Sequence, residues 1–303
     1  MPAMSGRPLE PGGDLDRLVG FTIPARNARG RTVRLGPVLD RILAAHDYPP
    51  PIQRLLAEAL VLTALMGGLL KREESQLTLQ AQSEGGAVDL MVCDYRDGEL
   101  RGYVRHDSER LAELPEEPRL QDLFGSGHLA ITFELSSTGQ RYQGVVPLEG
   151  DSLSAAVEAY FARSEQVPTL IRAATASEDG RALAGGLLVQ HLADGEEGRE
   201  RLHVRMDHPE WEHVAILAHS VQPDELVDPT LSQEQLVWRL FHEEPEVRVQ
   251  AAVPLSRGCR CSIVHFENVL SRFPKEDRRD MRDENGIILV DCAFCSREFA
   301  IQD

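Results

Sequence analysis

Four of the chain's five cysteines fall within its last 45 residues, as Cys259-Arg260-Cys261 and Cys292-Ala293-Phe294-Cys295, and no other feature constrains the fold as strongly. A gap of 30 residues separates the two pairs. Two short turns with two thiols each match the closed, four-sulfur, tetrahedral site of structural zinc. In a chain with no visible secretory signal, paired cysteines point to metal or redox chemistry rather than permanent disulfides. Between the pairs the pattern predicts a helix over 263–273, a second over 274–282 and a strand over 287–290 running into Cys292. So small a core needs an ion as a staple. The expectation is one Zn2+ per chain on Cys259, Cys261, Cys292 and Cys295; the pairing argues against four unrelated thiols.

The spacing leaves the purpose of such a site open. A four-cysteine zinc site is most often an inert staple. It also serves as a redox switch, because bound zinc keeps sulfurs as thiolates, the form that oxidants attack. Each pair is close enough to close its own local disulfide, and a disulfide is a poor ligand. Structural zinc contributes roughly 10–16 kcal/mol in small fingers, so its loss should unfold a module of this size. The CxC pair favours the switch modestly, since ordinary zinc ribbons tend to use CxxC at both ends.

The remainder of the chain supplies the large core. Of 303 residues, 42% are hydrophobic, and the formal net charge is −17. That charge argues against a protein that coats nucleic acid or docks on an anionic membrane. The longest uncharged, mostly apolar stretch runs from Ala59 to Leu70, well short of the roughly 20 residues of a membrane helix. No apolar leader core is visible near the start, so the expectation is a soluble, cytoplasmic protein.

Residues 1–15 read as a flexible tail and 16–190 as an α+β core. LVGFTIP and RTVRL predict two strands around the turn RNARG. Gly36–Asp47 predicts a helix that Tyr48-Pro49-Pro50-Pro51 breaks, with Pro51 placed to open the next. That second helix, 52–70, is apolar on most of its circumference and belongs at the centre of the core. The period then changes to two, predicting strands at QLTLQAQ, AVDLMVCDY, LRGYVRH, LAITFEL and YQGVVPL. DSLSAAVEAYFAR predicts a helix capped by Asp151 or Ser152, and VPTLIRAAT and ALAGGLLVQ two further strands. Residues 191–250 read as a linker with amphipathic helices. Its 191–230 part holds ten acidic residues, three Arg and five His. Trp211, Val214, Ile216 and Leu217 are placed on one helical face, and LVWRLFHEE, centred on Trp238, is the better helix. The linker is expected to bury little apolar area and to have low local stability. Residues 251–303 form the small cysteine domain.

Several motifs in this order resemble one known family, the 33 kDa chaperonins or heat shock protein 33 family. They are RYQGVVPLEGDSLSAAVEAYFARSEQVPT (Arg141 to Thr169), AGGLLVQ (Ala184 to Gln190), LVWRLFHEE (Leu236 to Glu244) and the CxC…CxxC ending. The resemblance runs from about Val19 to Cys295. It implies a redox-regulated, ATP-independent holdase: an α+β core, a metastable helical linker and a C-terminal zinc domain. It further implies that the reduced, zinc-bound form is inactive. Oxidation would then form Cys259–Cys261 and Cys292–Cys295 disulfides, release zinc, unfold zinc domain and linker, and allow dimerisation and capture of unfolding client proteins.

Other candidates read as structural. Cys93, in a predicted strand, is expected to be a buried, inert thiol. His191, His203, His208, His213 and His219 lack the spacing of a metal pair and are expected to be solvated. His242-Glu243-Glu244-Pro245-Glu246 begins like a zinc-protease motif but lacks the second histidine. No phosphate-binding glycine motif or nucleophile elbow is present, so neither nucleotide use nor enzyme activity is expected. Gly185-Gly186 reads as a turn or strand irregularity. Two competing functions stay in view. One is a zinc ribbon that contacts nucleic acid or protein, for which eight Lys/Arg against nine Asp/Glu in 257–303 is a poor balance. The other is a thiol–disulfide oxidoreductase, for which too little chain follows Cys295 to build the usual helix.

Overall fold

The apolar helix predicted at 52–70 is the axis of the molecule. In the computed structural model, which describes residues 14–70, 75–136, 139–178, 180–192 and 207–302, it lies between two sheets and touches both. The chain opens with strands β1 (Arg17–Ile23) and β2 (Ala28–Leu35), joined by the turn Pro24–Arg26 with Asn27 left-handed at φ 45°. Helix α1 (Pro37–Leu43) follows. Helix α2 (Pro50–Gly67) starts one residue before Pro51 and buries leucines on every side. Strands β3 (Gln76–Glu84), β4 (Val88–Arg96) and β5 (Glu99–His106) form a meander. Two short helices, α3 (Ser108–Ala112) and α4 (Leu120–Phe124), precede β6 (Ser126–Leu135) and β7 (Gln140–Pro147). Helix α5 (Leu153–Tyr160) is capped by Ser152, whose hydroxyl accepts from the Ala155 amide, and leads to β8 (Thr169–Glu178) and β9 (Arg181–His191).

Strands β3 to β7 make one sheet in the order β5-β4-β3-β6-β7; the other runs β1-β2-β9-β8. The side chains between them, with α2 at the centre, form the main core. Gly185 and Gly186 are regular members of β9, paired with Arg34 and Val33, and not a turn. They are glycines because both faces of the strand are crowded. A Cβ on Gly186 would meet Val61 Cγ1 of α2 at 2.4 Å, and one on Gly185 would meet the Leu226 carbonyl oxygen at 2.0 Å on the opposite face.

That opposite face is covered by α6 (Pro209–His219), α7 (Pro223–Val227) and α8 (Gln233–Phe241). Their Val214, Ala218, Leu226, Leu236, Val237, Leu240 and Phe241, with Val221 and Leu231 between them, bury against Phe21, Ile23, Ala28, Leu170, Leu187 and Val189 of the sheet. The expectation of little apolar burial therefore does not hold for the described part of 191–230. The registers differ in detail: Val214 is buried, whereas Ile216 and Trp238 are exposed. Arg34, fully buried, fixes this layer. It donates to Asp14 Oδ2 (2.8 Å) and to the carbonyls of Leu226 (3.0 Å), Leu231 (2.7 Å) and Glu225 (3.2 Å). Asp14 also accepts from the Gln233 amide, so residue 14 belongs to the packed structure.

A strap then returns along the core. β10 (Arg248–Val249) and β11 (Val253–Pro254) each pair with β1, and β12 (Ser256–Arg257) pairs in parallel with β5. Beyond it lies the C-terminal module: α9 (Ile263–Leu270), α10 (Lys275–Asp280) and the hairpin of β13 (Ile287–Asp291) and β14 (Glu298–Gln302). The two helices and the first strand match the sequence expectation; β14 was not foreseen. The module's own buried core is Leu270, Ile288, Phe299 and Ile301 with Cys292.

Candidate metal centre

The strap delivers Cys259 and Cys261 on an extended segment, and Ser262 caps α9 immediately after, its hydroxyl accepting from the His265 amide (3.1 Å). The second pair lies in the turn between β13 and β14. There the Cys295 and Ser296 amides donate back to the Cys292 carbonyl (3.2 and 2.8 Å), and Ser296 takes a left-handed φ of 55°. These two turns bring all four sulfurs within 4.8 Å of one another. Contacts are 3.3 Å for Cys259–Cys261, 3.6 Å for Cys259–Cys292 and 3.5 Å for Cys261–Cys295. Four sulfurs about 2.3 Å from one ion sit about 3.8 Å apart, so this arrangement fits tetrahedral zinc. The separations are far beyond the S–S bond length of about 2.05 Å, and all four are free thiols.

Electrostatics point the same way. Burial works against the Cys259 thiolate, but the Cys261 amide and the S–H groups of Cys261, Cys292 and Cys295 outweigh it and bring that thiol down to about 7. Burial and the neighbouring sulfurs push Cys261 and Cys292 up. Ionising Cys261 or Cys292 beside the Cys259 thiolate is therefore disfavoured. A divalent cation is what allows all four to ionise together.

The centre is also docked on the core, which sequence reasoning missed. Phe294, between the two cysteines of the second turn, packs edge-on against Tyr103 of β5 (centroids 5.0 Å, 86°). The Arg101 guanidinium lies 4.0 Å from the Phe294 ring centre and is held there by Asp94, at 2.7 and 2.5 Å. His46, after α1, pairs through Nε2 with the Ala293 carbonyl (2.9 Å), and Ser296 donates to the Ala45 carbonyl (2.6 Å). From the first pair, Arg260 reaches Gln76. Phe294 inside a CxxC turn is the only one of these that the sequence could have flagged. His46 and its partner are 247 residues apart.

The remaining candidates fall elsewhere. Cys93 is fully buried in β4, and burial pushes its thiol far up, as expected for an inert core residue. Among the histidines, His191 departs from the solvated expectation: it is buried, hydrogen-bonded to the Arg26 carbonyl, tilted against the His208 ring and stacked on Trp211. His213 pairs with the buried Glu244 at 2.7 Å, and His219 is exposed. His203 lies outside the described residues. Among the described residues, the four cysteines are the one cluster that could hold a metal, and no helix is long and apolar enough to cross a membrane.

A family model described as "Hsp33 protein" matches residues 16–302. The chain belongs to the Hsp33 family. The 33 kDa chaperonin of Caulobacter vibrioides is 41% identical over 298 residues, spanning 95% of this chain and 96% of that protein. That of Escherichia coli is 35% identical over 284 residues, spanning 94% and 91%. The crystal structure of the 33 kDa chaperonin from Thermotoga maritima superposes with a TM-score of 0.77 at 21% identity over 95% of each chain, a likeness of fold. Hsp33 membership supports a chaperone role for the chain.

Proposed function

We propose that this protein is a cytoplasmic, ATP-independent holdase switched on by oxidation, with Cys259, Cys261, Cys292 and Cys295 as both the zinc ligands and the redox sensor. The observation that carries the reading is the clustering of four free sulfurs at zinc-binding separations in a module whose own core is only a handful of side chains. When bound, zinc keeps the four sulfurs as thiolates and supplies the cross-link that the module lacks.

In the resting form the CxxC turn is seated on the core through Phe294, His46 and Ser296, and the strap is paired along β1. Oxidation by peroxide takes two electrons from each pair. Two thiolates, one H2O2 and two protons give one disulfide and two waters. Pairing within each turn, Cys259–Cys261 and Cys292–Cys295, leaves no bond joining the two turns. The module then lacks both ion and cross-link and loses its fold. The CxxC turn leaves Tyr103 and Arg101, and the strap loses its downstream anchor. Apolar surface now covered by the strap and by α6–α8 becomes available to clients and to a second copy of the chain. Capture by such a surface is hydrophobic and tolerant of sequence.

The test measures zinc release and light scattering of a heat-labile client together, before and after peroxide at mild heat. The reading predicts stoichiometric zinc release, dimer formation and suppressed aggregation only after oxidation. Oxidised protein that has lost its zinc yet fails to slow aggregation would sink it. Peptide mapping that found Cys259 bonded to Cys292 would overturn the pairing alone.

A further inference from the structure

At the opposite end of β13 from the CxxC turn stands Asn285-Gly286. Of the chain's three asparagines it alone precedes Gly; Asn27 is followed by Ala28 and Asn268 by Val269. An Asn-Gly pair is chemically labile, because Gly presents its backbone nitrogen to the asparagine side chain with no Cβ in the way. The fold nevertheless needs both residues. Asp283 to Gly286 form a β-turn closed by the Gly286 amide, which donates to the Asp283 carbonyl (3.0 Å), with Asp first and Gly fourth as such turns favour. Gly286 takes φ 78°, where a side chain is strained. The Asp283 carboxylate accepts from the amides of Asn285 (2.9 Å) and Ile287 (2.8 Å), and the Asp283 amide donates to the Ile287 carbonyl (2.8 Å). The Ile287 amide, with the backbone and side-chain amides of Asn285, holds the Asp283 carboxyl below its usual range. Both groups that could react with each other, the Gly286 nitrogen and the Asn285 side chain, are thus engaged by Asp283 while the turn is closed. Asn285 is exposed, so these hydrogen bonds restrain it and burial does not.

We propose that Asn285 is a site of spontaneous deamidation, shut while the C-terminal module is folded and open once it unfolds. The Gly286 nitrogen gives up its proton and attacks the side-chain carbonyl carbon of Asn285. A C–N bond forms, the bond to the side-chain NH2 breaks, and ammonia leaves with that proton. Water then opens the cyclic imide at either carbonyl, giving Asp or iso-Asp; no electrons are exchanged. The product carries a new negative charge beside Asp283 and Glu284, and the iso form inserts a methylene into the backbone just ahead of β13. Both changes spoil the turn that starts this strand, which carries Ile288 into the module's core and leads into Cys292. This deepens the function proposed above and rests on it in one respect. Disulfides are reversible and this change is not, so a chain left open for long returns less completely to its zinc-bound form.

The experiment incubates the full chain at neutral pH when reduced with zinc, when stripped of zinc by a chelator, when oxidised by peroxide and when unfolded in urea. Peptide mapping reads conversion of amide to acid at Asn285, with Asn27 and Asn268 as internal controls. Reaction requires local opening, so conversion at Asn285 should be about tenfold or more slower in the zinc-loaded chain than in urea. The chelated and oxidised chains should approach the urea rate, and the two controls should stay largely intact. Equal rates with zinc and in urea, or no conversion in urea, overturns the site. A site that converts in urea but stays slow once zinc is gone upholds the guard by the turn and counts instead against module opening, and so against the function proposed above. Asn285→Gln, which keeps the amide but cyclises slowly, reads the consequence. After prolonged opening, re-reduction and addition of zinc, it should regain zinc more fully than the wild type, and equal recovery in both overturns that consequence.

Discussion

The layer formed by α6–α8 and the cysteine module are both small helical additions to the same core, yet they are held by different physics. The first buries nine apolar residues against six from the sheet, including Phe21 on Phe241 with ring centroids 5.6 Å apart. Arg34 is its fastener, a buried cation whose donors are spent on Asp14 and three carbonyls. The second buries four apolar side chains and a cysteine, and its sulfurs are the centre of what core it has. One is stabilised by area removed from water, the other by whatever joins four thiols. A signal that acts on sulfur therefore reaches the module first and the α6–α8 layer only through the strap.

The largest effect expected from this contrast is on the module. Replacing Cys292 and Cys295 by Ser removes half of the sulfur set, and with it most of the roughly 10–16 kcal/mol that a structural zinc site contributes. Metal content should fall and limited proteolysis should trim the chain after the strap, leaving a folded core; full zinc occupancy in that variant refutes the ligand assignment. Arg34→Met acts on the other region. It leaves the buried Asp14 with Arg17 (2.9 Å) as its remaining cation and strips three carbonyls of their donor, at a cost of about 3 kcal/mol. Urea unfolding should show that loss with zinc affinity unchanged, and coupled loss of zinc would erase the distinction between the regions.

Phe294→Ala tests the joint between them. It removes an edge-on aromatic pair and a cation–π contact, together about 1–2 kcal/mol, while the four sulfurs stay. The variant should bind zinc normally but release it faster under peroxide, and an unchanged release rate would show that docking carries no part of the latch. The smallest effect is a difference in sign with pH. Glu58 in α2 is half-buried, and its carboxyl is pushed up by desolvation, partly offset by hydrogen bonds from Ser154. Its folded form keeps the proton more readily than the unfolded form. It thus costs stability as pH rises from about 4.5 through its folded pKa, and favours the core as pH falls through the same range. The module runs the other way, because protons compete with zinc for thiolates. Acidification from neutrality should lower zinc affinity while the Glu58 contribution to the core rises, and Glu58→Gln should flatten the second trend alone.

Local pattern carried a good part of this structure. The leucines of 52–70 cover the whole circumference of a helix, which is why its central position was legible, and the CxC and CxxC spacings identified the cysteine cluster without tertiary information. The α6–α8 layer was misjudged because its acidic residues mask a buried face set by long-range packing on β1, β8 and β9. Helical spacing placed Val214 and Ile216 on one face; the sheet buries Val214 and adds Ala218, but leaves Ile216 exposed. Gly185 and Gly186 read as a turn or a strand irregularity because a lone sequence does not show what presses on either face of a strand. The contacts of His46, Tyr103 and Arg101 with the CxxC turn join residues nearly 200 or more positions apart, and no local spacing encodes them.

Hydrogen exchange on the zinc-loaded chain before and after peroxide examines the division between sulfur-held and area-held structure most directly. Amides of 259–302 should lose protection in step with zinc release, those of the strap and α6–α8 should follow, and those of β1–β9 and α2 should keep theirs. Retained protection across 259–302 once the zinc is gone, or a uniform loss through the core, would contradict it.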